Sequence, residues 1–260
     1  MIKKILTIAG SDSSGGAGIQ ADIKTFSALG TYGLSVITAV TAQNTKEITD
    51  ICNIPPESVK AQLDAVFSDI KINAVKIGML PGCDTINVVC DALKKYSPPF
   101  VVFDPVAMST SGTPLTDPDA TDCVRSELLP LCSVVTPNIP EAEMLADMRI
   151  LSEDDIEKAL YSINRYVKNV LIKGGHADGA PIDTLLYDNE IYRFTGKRVN
   201  TKNTHGTGCT LSSAVAVFLA NGDKLDHAVN NAKGYITKAL ENAYDIGEGA
   251  GSVNHFWKYR

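Results

Sequence analysis

No stretch of the sequence is apolar for long enough to span a bilayer, which takes about 20 residues. The chain opens like a secretory leader, with Lys3 and Lys4 followed by Ile5, Leu6, Ile8 and Ala9, but the apolar run stops at Gly10-Ser11-Asp12-Ser13-Ser14. That is too short for a leader, and the cytoplasm is the expected compartment. Excess positive charge is also lacking. Against 24 Lys and Arg stand 30 Asp and Glu, a net charge of -6, so neither nucleic acid nor a membrane is an expected partner. Among the six cysteines, Cys52, Cys83, Cys90, Cys123, Cys132 and Cys209, no C-x-x-C pair occurs. Neither a disulfide framework nor a zinc site is expected, and most thiols read as reduced core residues. No G-x-x-x-x-G-K-[ST] loop is present, and no repeat, low-complexity tract or linker breaks the chain. His176 and His205 have no companion histidine at ligand spacing, so they read as loop hydrogen-bonders.

What is present is a chain of 260 residues, 44% hydrophobic, able to bury a large core as one domain over 1–260. Short, nearly continuous apolar runs fall at Ile5 to Ala9, Leu34 to Thr41, Ala74 to Ile77, Val101 to Phe103, Val134 to Thr136 and Val170 to Ile172. Strands look this way when helices cover both faces of a parallel sheet. Helical patterns alternate with them at Ala17 to Leu29, Ser58 to Ile70, Thr85 to Lys95, Ala120 to Leu128 and Glu153 to Val167. A hairpin, Ile182 to Tyr187 and Ile191 to Phe194, then precedes helices over Thr207 to Ala220 and Leu225 to Ala243. The order predicts an α/β fold, a three-layer α/β/α sandwich on a mostly parallel sheet. Ligands then collect at the carboxyl ends of the strands.

Five segments carry candidate chemistry. In Asn203-Thr204-His205-Gly206-Thr207-Gly208-Cys209, two glycines let backbone N–H groups turn inward and the following helix adds its positive end, which makes an anion site. Cys209 at that helix start is expected to have a lowered pKa and to accept a hydroxyl proton; it also reads as a small core residue. In Gly10 to Asp22, Gly16-x-Gly18-x-x-Ala21 matches a lax dinucleotide fingerprint, but no acid for a ribose follows among Ser35 to Asn44. These glycines suit close approach to a substrate, and Asp22 taken alone reads as a solvated first-turn charge. The amide of Gln43 can pair with a ring nitrogen and its neighbouring amine, or can cap a loop. Asp104 and Glu141 follow successive strands and can face one cleft to hold Mg2+, although Glu141 also suits a helix N-terminus. Lys173, before Gly174 and Gly175, can meet a polyphosphate.

Taken in order, Leu6 to Phe26, Ala42-Gln43-Asn44-Thr45, Lys76-Ile77-Gly78-Met79-Leu80, Asp104-Pro105-Val106, Thr136-Pro137-Asn138, Lys173-Gly174-Gly175-His176 and Asn203 to Thr210 resemble the ribokinase superfamily. Within it, the chain resembles the hydroxymethylpyrimidine and phosphomethylpyrimidine kinases of thiamine biosynthesis over essentially its whole length. The resemblance implies ATP-dependent phosphorylation of 4-amino-5-hydroxymethyl-2-methylpyrimidine and then of its monophosphate. It implies a pyrimidine held by Gly10, Asp22, Gln43, Met79 and Val106, with Cys209 and the Gly206-Thr207-Gly208 anion hole beside the reacting group. It places Mg-ATP over Asn138, Glu141, Lys173 and the turn from Gly206 to Gly208, and it implies a homodimer.

The wider superfamily has an aspartate where this chain has Cys209, as in the pyrimidine and pyridoxal branch. Ser252 stands where proline is usual, and Ala107-Met108 where Met-Val is frequent. A pyridoxal kinase, a dual-specificity enzyme and a catalytically idle nucleotide- or vitamin-binding protein are the alternatives. The setting of Gln43 favours the pyrimidine.

Overall fold

The computed structural model describes residues 1–108, 112, 114–117, 119–175 and 180–259. His176 and Ser109 to Ser111 lie outside the described residues. Nine strands form one sheet: β1 (Lys4–Asp12), β2 (Tyr32–Gln43), β3 (Ile48–Asn53), β4 (Ala74–Ile77), β5 (Val101–Phe103), β6 (Val134–Val135), β7 (Val170–Ile172), β8 (Ile182–Tyr187) and β9 (Glu190–Thr195). Their spatial order is β3-β2-β1-β4-β5-β6-β7-β8-β9. The run from β2 to β7 is parallel, while β3 joins one edge and the β8–β9 hairpin the other in antiparallel fashion.

Eight α-helices flank it: α1 (Gly18–Ala28), α2 (Pro56–Asp69), α3 (Cys83–Tyr96), α4 (Ala120–Cys123), α5 (Ile139–Ala146), α6 (Glu153–Asn164), α7 (Thr207–Asn221) and α8 (Leu225–Glu241). Successive strand residues point to opposite faces, and here both faces are buried. Leu6, Ile8, Val101, Phe103 and Val170 pack with Leu63 of α2, Val89 of α3 and Leu160 of α6. Ile5, Val102, Val134 and Leu171 pack with Phe26 of α1, Val215 of α7 and Ala232 of α8. That two-sided burial is why the strands read as unbroken apolar runs, and the three-layer expectation holds.

Three elements depart from it. β3, Ile48-Thr49-Asp50-Ile51-Cys52-Asn53, is an exposed edge strand whose polar residues hide it. α5 opens on a reciprocal capping box: Asn138 Oδ1 accepts from the Glu141 amide at 2.9 Å and Glu141 Oε2 accepts from the Asn138 amide at 2.8 Å. Such a box is a helix-start signal. α4 passes into a π-helical turn at Val124–Leu128. The cysteine expectation is also corrected, because Cys83 and Cys123 form a disulfide, with Cα atoms 5.8 Å apart. They stand 40 residues apart in sequence and meet only because α3 and α4 pack side by side. Cys90 and Cys132 are the buried thiols, whereas Cys52 is exposed and Cys209 half-buried.

A polar pin crosses the layer between the sheet and α1 and α7. Asp22 of α1 and Lys76 of β4 are both fully buried, with Nζ 3.0 Å from the carboxylate. Thr7 of β1 donates to Asp22 Oδ2 at 2.6 Å and Ser213 of α7 to Oδ1 at 2.7 Å. Asp22 is therefore a buried anchor and not a solvated helix charge. Burial alone would lower the Lys76 pKa, yet the negative charge of Asp22, together with Cys209 and Asp104, outweighs it and raises the value. Removing one partner of such a pair strands the other charge. Lys76→Met should therefore cost about 3–5 kcal/mol in denaturant unfolding, and the double change Asp22→Asn/Lys76→Met should cost less than that single change.

Candidate active site

Two glycine loops meet above the carboxyl ends of the strands. The first, from Gly10 to Ala17, leads from β1 into α1; the second, from Thr204 to Gly206, leads into α7. Gly206 has φ +81°, and a Cβ there would lie 1.8 Å from the Gly16 carbonyl oxygen. A Cβ on Gly16 would lie 2.2 Å from His205 Cδ2. Only glycine fits at either place, and Gly206 also needs the left-handed conformation that glycine adopts without strain.

Asp12 ties the loops together. Its carboxylate accepts from the Ser14 amide at 2.8 Å, the Ser14 hydroxyl at 2.7 Å, the Gly16 amide at 3.0 Å and the Ala17 amide at 2.8 Å. His205 Nε2 lies 2.8 Å from the same carboxylate. Burial would raise the Asp12 pKa, but the hydrogen bonds from His205, Ser14 and Ala17 outweigh it and hold the value down at about 2. His205 thus acts as the loop hydrogen-bonder expected of it.

The first amides of a helix have no partner within the helix. At α7 the Thr207 amide turns to the Thr204 carbonyl at 3.2 Å, and the Thr210 amide donates to Gly206 at 2.9 Å. The amides of Gly208 and Cys209 remain at the helix mouth, the right place and polarity for an anion. A Cβ on Gly208 would lie 3.4 Å from Lys173 Nζ and 3.6 Å from Asp104 Oδ2, so the turn is pressed against that pair.

Lys173 stands among carboxylates from two other strand ends. Its Nζ lies 2.6 Å from Asp104 Oδ1 and 4.0 Å from Glu141 Oε2. Thr136 donates to Asp104 Oδ1 at 3.2 Å and Ser212 of α7 to Oδ2 at 3.4 Å. Burial, then the negative charge of Asp104, pushes the Glu141 pKa up to about 7 against the pull of Lys173. Asp104 and Glu141 are both buried beside Lys173, and the cation between them is its ammonium. No cluster of three or more His, Cys, Asp or Glu suited to a metal occurs among the described residues. Asn138 caps α5 beside them and bridges to Lys173 in parallel register.

The expectation for the Cys209 thiol is reversed. Burial pushes its pKa up to about 11, with Asp22 and Asp104 adding to the rise, while Lys76 and the Gly18 amide pull it down only in part. A helix start favours the thiolate, but burial of the thiol works against it first and the two carboxylates second.

Among the residues expected to hold the ring, Gly10 lies against Met79, whose Sδ would be 3.0 Å from a Cβ at that glycine. Thr38 fixes Met79 by donating to its carbonyl at 2.7 Å. Gln43 is held through its backbone by Ser13 Oγ, at 2.7 Å from its carbonyl and 2.8 Å from its amide. Its side chain reaches Thr41 and His205 and, with Asn44, Lys46 and Ala250, lines a cleft of about 230 Å³. Val106 lines a separate hollow with Gly78, Leu80 and Pro105.

Sequence reasoning gave no role to Asp12, Lys76, Asp183 or Lys233. Asp183 accepts from the Gly174 amide at 3.0 Å and from Lys233 Nζ at 2.7 Å, which fixes the loop after Lys173. The signal for Lys76 and Asp183 was a single charge inside an apolar strand, because such a charge must be paired. Glu141 yields a pH prediction. Between about 4.5 and about 7 it keeps in the fold a proton that the unfolded chain has lost, so unfolding free energy falls as pH rises through that window. Glu141→Gln should flatten that slope in denaturation curves taken from pH 4.5 to 7.5.

Comparison with known proteins agrees with this geometry. A family model described as phosphomethylpyrimidine kinase matches residues 12–254. The hydroxymethylpyrimidine/phosphomethylpyrimidine kinase of Rhizobium meliloti is 48% identical over 260 residues, covering 98% of this chain and 97% of that protein. The bifunctional thiamine biosynthesis protein ThiED of Geobacter sulfurreducens is also 48% identical over 96% of this chain, which spans 52% of its length. Among solved structures, an ADP complex of Bacillus subtilis pyridoxal kinase superposes with a TM-score of 0.92 at 33% identity, covering 100% of both chains. The chain belongs to the phosphomethylpyrimidine kinase family.

Proposed function

We propose that this protein transfers the γ-phosphoryl group of ATP to the hydroxymethyl group of 4-amino-5-hydroxymethyl-2-methylpyrimidine, and then a second phosphoryl group to that monophosphate. The observation that carries this reading is the contact of the Gln43 amide with His205, the residue before Gly206. It sets an amide able to read a heteroaromatic edge next to a turn able to hold a phosphoryl group.

Phosphoryl transfer needs positioning and charge neutralisation more than covalent chemistry. The amides of Gly208 and Cys209 would hold the transferring group from one side, and Lys173 would meet the polyphosphate from the other. Asp104 and Asp183 keep Lys173 and its following loop in place. Gly10 and Met79 would pack against the ring, with Asp22 supporting them from beneath α1, whereas Val106 lines a separate hollow. Mg2+, when bound with ATP, neutralises phosphate charge. Asp104 Oδ1 already takes Lys173, so Asp104 and Glu141 fit such an ion through water and not as a closed cage, which suits a cation that keeps its own waters. We assign to Cys209 the proton of the attacking hydroxyl. With a pKa near 11 its thiolate is a minor species at neutral pH.

The setting that accords with this reading is a cytoplasmic homodimer. No helix among the described residues is long and apolar enough to cross a membrane, and β3 leaves an edge at which a second copy could dock. A pyridoxal kinase is the second reading, favoured by the structural match to the Bacillus subtilis enzyme.

Steady-state ADP formation with the pyrimidine, its monophosphate or pyridoxal separates the readings. A larger kcat/KM for the two pyrimidines is expected, and absence of turnover on all three would sink the kinase assignment. Cys209→Ala should lower kcat about 100-fold or more and abolish its rise with pH above 7, with KM for ATP near wild type. A variant with nearly full rate would remove Cys209 from proton transfer and leave the turn's role standing.

A further inference from the structure

The side chain of Gln43 sits in a chain of polar groups whose roles can be worked out one by one. Gln43 Nε2 lies 3.4 Å from His205 Nε2, and Gln43 Oε1 lies 3.1 Å from Thr41 Oγ1. Thr41 Oγ1 is also 3.1 Å from the Ser11 carbonyl oxygen. His205 Nε2 is 2.8 Å from Asp12 Oδ2. A threonine hydroxyl has one proton to give and can accept in return, and an amide has a donor end and an acceptor end of almost the same size.

Asp12 already accepts from three backbone amides and the Ser14 hydroxyl, which requires an ionised carboxylate. The nitrogen facing a carboxylate at 2.8 Å must carry the proton, so His205 Nε2 is a donor. An amide NH2 opposite that N–H has nothing to donate to. A half-turn of the amide keeps every separation nearly unchanged and satisfies every group. The Gln43 NH2 then donates to Thr41 Oγ1, whose proton goes to Ser11. The Gln43 carbonyl oxygen accepts from the His205 N–H that it shares with Asp12.

We infer that His205, braced by Asp12, fixes which way round the Gln43 amide stands and so sets the order of donor and acceptor that the cleft offers a ring. One N–H stays free on the Thr41 side and one lone pair on the His205 side. The complementary ligand carries a ring nitrogen as acceptor and, one atom along, an amine as donor: the edge of an aminopyrimidine. A pyridine ring without that amine uses only half of it. His205 is thus a positioning residue for specificity, acting through Gln43. The inference rests on the proposed role of Gln43 in holding the ring.

The test compares His205→Leu, which removes the donor, with His205→Gln, which restores an N–H at similar reach. His205→Leu should raise KM for hydroxymethylpyrimidine about 10-fold or more, as expected when a recognition hydrogen bond loses its partner. Because His205 also braces the turn ahead of α7 through Asp12, changes in kcat and in KM for ATP are expected alike with either ring substrate. The readout is the ratio of kcat/KM for hydroxymethylpyrimidine to that for pyridoxal, which should fall about 10-fold. His205→Gln should recover most of the lost affinity, and this recovery also shows that the position tolerates change without misfolding. The inference is overturned if both ring substrates weaken equally, so that the ratio stays at its wild-type value, or if His205→Gln recovers that ratio no better than His205→Leu. Gln43→Leu separates the two levels. If it leaves the pyrimidine KM unchanged, the ring-holding role of Gln43 fails and takes this inference with it. If it raises KM while His205→Leu does not, the inference alone fails.

Discussion

The close approach of Gly16 to Gly206, held by the Asp12–His205 contact, is the constraint on which the site depends. A backbone carbonyl packed where the Cβ of residue 206 would be leaves no room for any other residue. That packing joins a loop after the first strand to a turn more than 190 residues later, and it aims the start of α7 into the cleft. Asp12 makes the joint firm because its carboxylate gathers four donors from its own loop and a fifth from His205. Charge-assisted hydrogen bonds of this kind are stronger than neutral ones. The turn proposed to hold phosphate is therefore preorganised by the fold, which is what electrostatic stabilisation of a transferring group requires.

Around that joint the charges alternate. Lys76 lies between Asp22 and the region of Asp104, and Lys173 between Asp104 and Glu141. The sheet makes this arrangement easy, because β1, β4, β5, β6 and β7 are parallel neighbours and deliver their following residues to one end. Cys209 stands inside the same cluster, and its high pKa follows from burial first and from Asp22 and Asp104 second. Asp22, Lys76, Asp104 and the Cys209 thiol share one electrostatic setting, so a charge change at one member is felt by the others.

Much of this was legible in the sequence, for identifiable reasons. Strands buried on two faces advertise themselves as apolar runs, and those at Val101–Phe103 and Val170–Ile172 fell where expected. Glycines that permit close approach were legible as turns, though not which backbone each one meets. β3 was hidden because an exposed edge strand needs no apolar face, and Thr49, Asp50 and Asn53 read as loop. The Cys83–Cys123 bond was hidden because it depends on helix packing and on no local spacing. The lowered thiol pKa expected at a helix start was overturned by burial of Cys209, with Asp22 and Asp104 adding to the rise, and both are properties of the fold. Asp12 and His205 show the same limit, since each reads as a loop residue alone and they become a joint only in three dimensions.

The central claim is that this cleft places two phosphoryl groups in succession on one hydroxymethylpyrimidine. Phosphorus NMR of the protein with Mg-ATP and that pyrimidine follows both transfers directly. The account predicts a pyrimidine monophosphate signal that grows and then gives way to a diphosphate as ADP accumulates. A spectrum in which ATP stays intact, or in which no phosphate becomes attached to the pyrimidine, would contradict it.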